Sequence, residues 1–510
     1  MFCHQWVILL VCISIILVIQ KQGLRQHKRT VSLFDISPYL LGIVTIAFLT
    51  INIIVILKLY GTKAFLHPGF SFSLIFALTV LSSLLVDATN GNMRIVFPEI
   101  FNELLYLVIF TGACLTLFAF QGRKTIVNHF PQLELDNFKN AFIYLAPICY
   151  LFSIIKYYRR GGSFNFQEMR DRMVELETKV FDTGSQSSFD SLIGYFELFN
   201  QVIMIYSGWE IALLLLNRKD DFQRKWNTLL LRILMFIPIL SSFIFSLSVG
   251  GRAVFISNIR FLFFGIILRL CSLKEINFKK MKHMFIYIFI VISLFSLYSN
   301  INLNQRYKAG GFSARSTLLD IPVINQFYSI IEYLNSANYG YQLRRMDYVT
   351  PELDYGQKSF GGIIFTRLPF SNILGINQSL GTYLGLEHKY TMKKMFLELE
   401  EENATHFSVI PTIFMTLYDD FGFIGSLIVI FFLSLISQYI FIRWFSSNHK
   451  GFLSFFFLLL VFWFWSNAIF NPIFASGDPN NIFIVLLLFD FIMILSPNKS
   501  NIQIQQEANS

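Results

Sequence analysis

The chain has 510 residues, of which 54% are hydrophobic and only 14% charged, with a net charge of +9. An ordinary globular protein carries roughly 25% charged residues, so this composition excludes a soluble multidomain enzyme. It also turns the positive charge away from nucleic-acid binding and toward membrane orientation.

Apolar runs of about 18 to 20 residues recur along the chain, each long enough to cross a bilayer core of about 30 Å. In chain order the candidate spans are 5–20, 37–57, 69–86, 101–120, 140–157, 191–216, 229–249, 253–270, 284–299, 411–440, 453–470 and 481–496. Backbone groups in lipid must hydrogen-bond within their own segment. The expectation is therefore an all-α polytopic integral membrane protein with about twelve transmembrane helices. Residues 1–299 would hold the first nine helices, 300–410 a large outer loop, 411–496 the last three helices and 497–510 a polar, disordered tail. The first run lacks a basic n-region and a small-residue cleavage site, so it reads as a retained helix rather than a removed signal.

Lys and Arg in short loops set orientation. The loop 217–228 carries Arg218, Lys219, Arg224 and Lys225, 271–283 carries Lys274, Lys279, Lys280 and Lys282, and Arg443 and Lys450 follow a later span. All three should be cytoplasmic, which puts Gly250-Gly251-Arg252, the 300–410 loop and the 471–480 turn outside. Counting backward places 121–139, with Arg123 and Lys124, inside. It also leaves Lys21, Arg25, Lys28 and Arg29 outside, against the rule.

Within the large loop, Ile321, Ile324, Phe327, Ile331 and Leu334 recur at helical spacing, which predicts an amphipathic helix over 321–334. A Gly- and Pro-rich apolar stretch, 360–386, would dip toward the bilayer, and the acidic tract Glu398 to Glu402 would lie on a solvated face. No internal repeat and no inverted pair of broken helices is evident. Cys3, Cys12, Cys114, Cys149 and Cys271 lie in or beside apolar runs, which argues against a disulfide framework or a zinc site.

Arg252 sits between two apolar runs at the outer membrane edge. Its guanidinium fork suits phosphate oxygens, and it equally suits an interfacial Arg reaching for lipid headgroups. His406 precedes the span at 411–440, where an imidazole could take a proton from an attacking hydroxyl or serve a structural role. Asp419 and Asp420 lie inside that run, as a cavity-facing pair or as partners of an Arg on another helix. Arg306, Lys308, Arg315, Arg344, Arg345 and Arg367 are roughly balanced by the loop's acids, so most read as surface pairs. Arg170 and Arg172, beside Glu168 and Asp171, read as a solvated helix. No phosphate-loop pattern, HExxH or Cys/His metal spacing occurs, so a transfer reaction here would need a donor that is already activated.

A GGR turn between helices, a long outer loop and a helix opening on YDDFGFIGSL resemble the Wzy-type O-antigen and oligosaccharide repeat-unit polymerases, and more distantly the O-antigen ligases. The DFG-x-x-G element is carried by Asp420, Phe421, Gly422 and Gly425, and TRLPF (366–370) is similar to that family's Pro-Arg-containing loop segment with the order altered. The resemblance implies a metal-independent glycosyltransferase without a cofactor. Its donor and acceptor would be undecaprenyl-diphosphate-linked glycans, handled on the periplasmic side of a bacterial inner membrane. It further implies a chain-length regulator and a flippase as partners beside the lipid bilayer, and no nucleic acid. In site terms it implies His406, Arg252 and Asp420 as catalytic residues, with Arg252, Arg306, Arg315 and Arg367 facing the diphosphate. An O-antigen ligase, or a lipid-linked oligosaccharide flippase or transporter, is the alternative.

Overall fold

The computed structural model describes residues 37–88, 98–120, 138–160, 188–215, 234–249, 253–271, 412–446, 452–468 and 478–495, with short pieces at 95, 162, 168, 334–335, 341–342, 359–361 and 383. The regular structure among them is helical throughout, with no strand. The helices are α1 (Pro38–Tyr60), α2 (Pro68–Ala88), α3 (Pro98–Ala119), α4 (Phe138–Arg159), α5 (Ser188–Leu215), α6 (Ile237–Val249), α7 (Ala253–Cys271), α8 (Ile413–Ser446), α9 (Phe452–Asn467) and α10 (Asp478–Leu495). A 3₁₀ turn, Gly61–Leu66, joins α1 to the His67 that precedes α2. These helices fall where the hydropathy runs predict them. The expected spans 5–20 and 284–299, and nearly all of the expected amphipathic helix 321–334, lie outside the described residues.

Local sequence explains several boundaries. α1, α2 and α3 each begin on a proline, whose fixed φ and missing N–H fit the first helical position. The expected span 229–249 has its first five residues outside the described ones; within the rest, a turn at 235–236 precedes α6, which begins at Ile237. Pro238 is the cause, since a proline is tolerated in a helix's first turn and not in its interior.

α1, α2 and α8 are apolar on their outward faces and bury polar side chains among their apolar ones. On α1, Leu40, Ile43, Val44, Ile51 and Ile54 are exposed while Thr45 and Asn52 are buried. On α2, Leu74, Leu78, Leu81 and Leu85 face outward, and Ser71, Ser73, Thr79, Ser82 and Ser83 are buried. On α8, Ile424, Ile428, Phe432, Ile436 and Tyr439 face outward, and Ser426, Ser434, Ser437 and Gln438 are buried. A helix in water shows the reverse pattern. Continuous apolar stripes of this length need a lipid solvent to cover them. Among the described residues, Pro38–Leu66, Pro68–Leu85, Pro98–Ala119 and Ile413–Ser446 are long and apolar enough to cross a membrane.

The chain forms two compact units. The first comprises Met1–Pro131, Arg315–Lys450 and Phe457–Asn480, and the second Gln132–Ala314, Gly451–Phe456 and Asn481–Ser510. In the first unit α1 packs on α2 and α3, and α8 packs on α3 and α2. The Tyr60 hydroxyl donates to Ala119 O and accepts from Gln438 Nε2 at 3.2 Å. His67 stacks on Tyr60 at 5.1 Å, and Phe441 meets the two rings edge-on. The far ends of α1 and α3 and the later part of α8 therefore share one end of this unit. Lys63 is there too, its ammonium 5.5 Å from the Phe445 ring.

The 411–440 run is not one straight span. Gly422, at φ 66° and ψ −177°, interrupts α8 and divides it into arms 413–421 and 423–446. Ile413 N donates to Ala468 O at 2.9 Å, while Trp465 Nε1, three residues earlier on α9, donates to Ser437 Oγ at 2.8 Å. A straight helix would hold Ile413 and Ser437 about 36 Å apart. The first arm must therefore fold back beside the second, and the aromatic packing agrees. Trp465 meets Phe72 at 5.5 Å, and Phe414 lies 5.2 Å from Phe76.

In the second unit α5 packs on α7 and α4, and α6 packs on α4, α7 and α5. The α5–α7 crossing is backbone on backbone. A Cβ on Gly208 would strike Leu262 O, and one on Gly265 would strike Ile205 O. Arg269 of α7 lies over the Trp209 ring of α5 at 4.8 Å.

Candidate functional site

The fold-back of α8 brings its acidic residues to a tip. Thr412 Oγ1 accepts from Met415 N at 3.2 Å and caps the short arm. About two turns later come Asp419 and Asp420, both buried. The φ of +66° at Gly422 lies in a region open almost only to glycine, and Ser426 Oγ bonds back to Gly422 O at 2.6 Å. A Cβ on Gly425 would sit 2.7 Å from Phe421 Cβ. The DFG-x-x-G element is thus a reversal: Gly422 makes the turn and Gly425 leaves room for Phe421.

Asp420 is fully buried, and its Oδ2 accepts the Ser359 amide at 2.6 Å. A carboxylate accepting a backbone N–H makes a charge-assisted bond, shorter and stronger than a neutral one. The Ser359 hydroxyl is itself buried and has no partner among the described residues. Ser359 belongs to the 300–410 interval, as does Asn335, whose Oδ1 accepts from Ser83 Oγ at 2.6 Å. α2 starts beside His67, at the Lys63 end of the first unit, so Ser83 lies toward its other end. Two pieces of the long interval are thereby tied to the end opposite Lys63, one to α2 and one to the α8 tip.

His67, between the first two spans, is chemically quiet. Its Nδ1 accepts from Gly69 N at 3.0 Å, and burial pushes the imidazole pKa down to about 3. It is a neutral packing group.

In the second unit, the end of α4 and the end of α6 lie together. Lys156 Nζ pairs with Glu197 Oε2 at 2.5 Å and lies 5.3 Å from the Phe245 ring. Arg160 Nη1 donates to Ser248 O at 3.4 Å, and Tyr157 packs against Leu247. Gly162, at φ +57°, closes α4 by donating to Tyr157 O at 3.1 Å.

Of the catalytic and diphosphate-facing residues expected from sequence, Asp420 alone is described. Arg252, Arg306, Arg315, Arg367 and His406 lie outside the described residues, and so do Gly250 and Gly251. Composition could not single out Ser359, because one serine in a loop carries no signal. Arg160 carried a faint one: Arg159-Arg160-Gly161-Gly162 follows an apolar run, as Gly250-Gly251-Arg252 does. Among the described residues, no group of three or more His, Cys, Asp or Glu is placed to hold a metal ion. No protein-family model, curated protein sequence or solved structure matches the chain.

Proposed function

We propose that the protein is a membrane glycosyltransferase that joins undecaprenyl-diphosphate-linked repeat units into O-antigen or capsular polysaccharide at the periplasmic face of a bacterial inner membrane. The observation that carries this reading is the DDFG reversal, whose tip holds Ser359 of the long 300–410 interval through Asp420. It links two features on which the resemblance rests, the loop and the helix after it. The apolar outward faces of α1, α2 and α8 support the membrane setting.

In the proposed reaction the hydroxyl of the acceptor's non-reducing sugar attacks the anomeric carbon of the donor glycan. The carbon–oxygen bond to the diphosphate breaks, the hydroxyl proton passes to His406, and undecaprenyl diphosphate leaves as an anion. Guanidinium groups stabilise that departing charge without a proton of their own, a role assigned to Arg252 with Arg306, Arg315 and Arg367. Asp420 is sealed from solvent and already engaged with an amide, so its part is to position the loop rather than to take the proton.

One observation favours a second reading. Discontinuous helices are how many transporters build sites in the membrane, and α8 is discontinuous. A deletion strain scored by polysaccharide ladders separates the two. Loss of the polymerase leaves core capped by a single repeat unit, whereas loss of all capping points to a flippase or a ligase. Arg252→Ala and His406→Ala should each abolish the ladder while the protein still accumulates; normal chain lengths in either variant would remove that residue from the site.

A further inference from the structure

Arg160, just after α4, is a cation of the second unit with sparse bonding among the described residues. A guanidinium has five N–H donors. Among the described residues Arg160 spends one, from Nη1 to Ser248 O at 3.4 Å, longer than the usual range for such a bond. The acid one would look to, Glu197, is already held by Lys156 at 2.5 Å. Arg160 is half-buried, and none of its nitrogens is a buried orphan. Its remaining donors are therefore not sealed inside the protein.

The depth of Arg160 says what lies out there. Tyr158, two residues earlier at the end of the apolar helix α4, is 70% exposed. The hydropathy run 140–157, which ends here, is one of the expected spans. Tyrosines standing out at the end of such a helix mark the headgroup level, where one ring edge is wet and the other apolar. The ion at that level is phosphate, and Arg matches its oxygens in a bidentate fork that Lys cannot reproduce. From this placement we infer that Arg160 is a binding residue for lipid-borne phosphate, at the end of the second unit where α4 and α6 finish. The phosphate belongs either to bulk phospholipid or to a polyprenyl diphosphate; only the second rests on the polymerase reading. The weak bond to Ser248 O fits this role, since it aims the side chain along the end of α6 without using up its donors.

The competing view makes Arg160 a cap for the last carbonyls of α6, and the two views differ in a measurable way. Full-length protein in mild detergent is titrated with undecaprenyl diphosphate, with phosphatidylglycerol and with phosphate-free undecaprenol, and bound lipid is read by native mass spectrometry. Arg160→Ala and Arg160→Gln should weaken binding of a phosphate-bearing lipid by about five- to tenfold, leave undecaprenol unchanged and leave the melting temperature of lipid-free protein within a degree or two. Arg160→Lys should restore part of the affinity. Loss confined to undecaprenyl diphosphate identifies a substrate site, and loss for phosphatidylglycerol as well identifies a headgroup site. Unchanged affinity for both phosphate lipids, or equal loss for undecaprenol, overturns the inference. Because no turnover is measured, a strain that fails the ladder test leaves this result standing.

Discussion

At the scale of single residues, Asp420 is a buried carboxylate that accepts a backbone amide. Leaving a buried amide without its acceptor costs about 1–3 kcal/mol. Asp420→Ala should therefore lower the thermal midpoint of the purified protein, and Asp420→Asn, which keeps an acceptor oxygen, should recover much of the loss. A catalytic base would behave differently, because Asn would then be as inactive as Ala at full stability. Ladder length and melting temperature measured on the same two variants distinguish these outcomes. The acidity of positions 419 and 420 was plain from sequence, but their partner was not. Ser359 is some sixty residues away, with no local pattern to announce it.

At the scale of elements, glycines decide two features. Gly422 has a backbone that other residues adopt only at about 1–3 kcal/mol of strain, so Gly422→Ala should destabilise the α8 reversal by that order. At the α5–α7 crossing the obstacle is space rather than conformation: Leu262 O and Ile205 O occupy the places a Cβ would need. Small residues let membrane helices approach until their backbones touch. Gly208→Val and Gly265→Val should each force the pair apart and sharply reduce the folded protein recovered from membranes, whereas Gly194→Val, where a Cβ meets nothing within 4 Å, should not. Recovery of all three at equal yield would refute the close crossing.

For the molecule as a whole, the first unit is polar in its charge distribution as well as its packing. Lys63 sits at one end and Arg443 lies on the same part of α8, while the described pieces of 300–410 attach at the other. The positive-inside rule then predicts the first end to be cytoplasmic. Single cysteines at position 63 and at position 99, the start of α3, should label from opposite sides of an intact inner membrane, position 99 from outside. The reverse pattern would put the 300–410 interval in the cytoplasm and remove the periplasmic reaction proposed above.

Read alone, the sequence was enough to establish a helical membrane protein and the approximate limits of its helices. Length, hydropathy and the prolines opening α1, α2 and α3 are local properties, and lipid leaves the backbone little choice but to satisfy itself within each segment. The fold-back of α8 was decided only in three dimensions. A run of apolar residues looks the same whether it crosses the bilayer once or doubles back at a glycine, and the difference appears only when Ile413 and Ser437 are found beside the same stretch of α9. The same holds for Ser359 against Asp420 and for Arg160 against Ser248. These contacts join residues far apart in the chain, and their energy comes from proximity that no local pattern records.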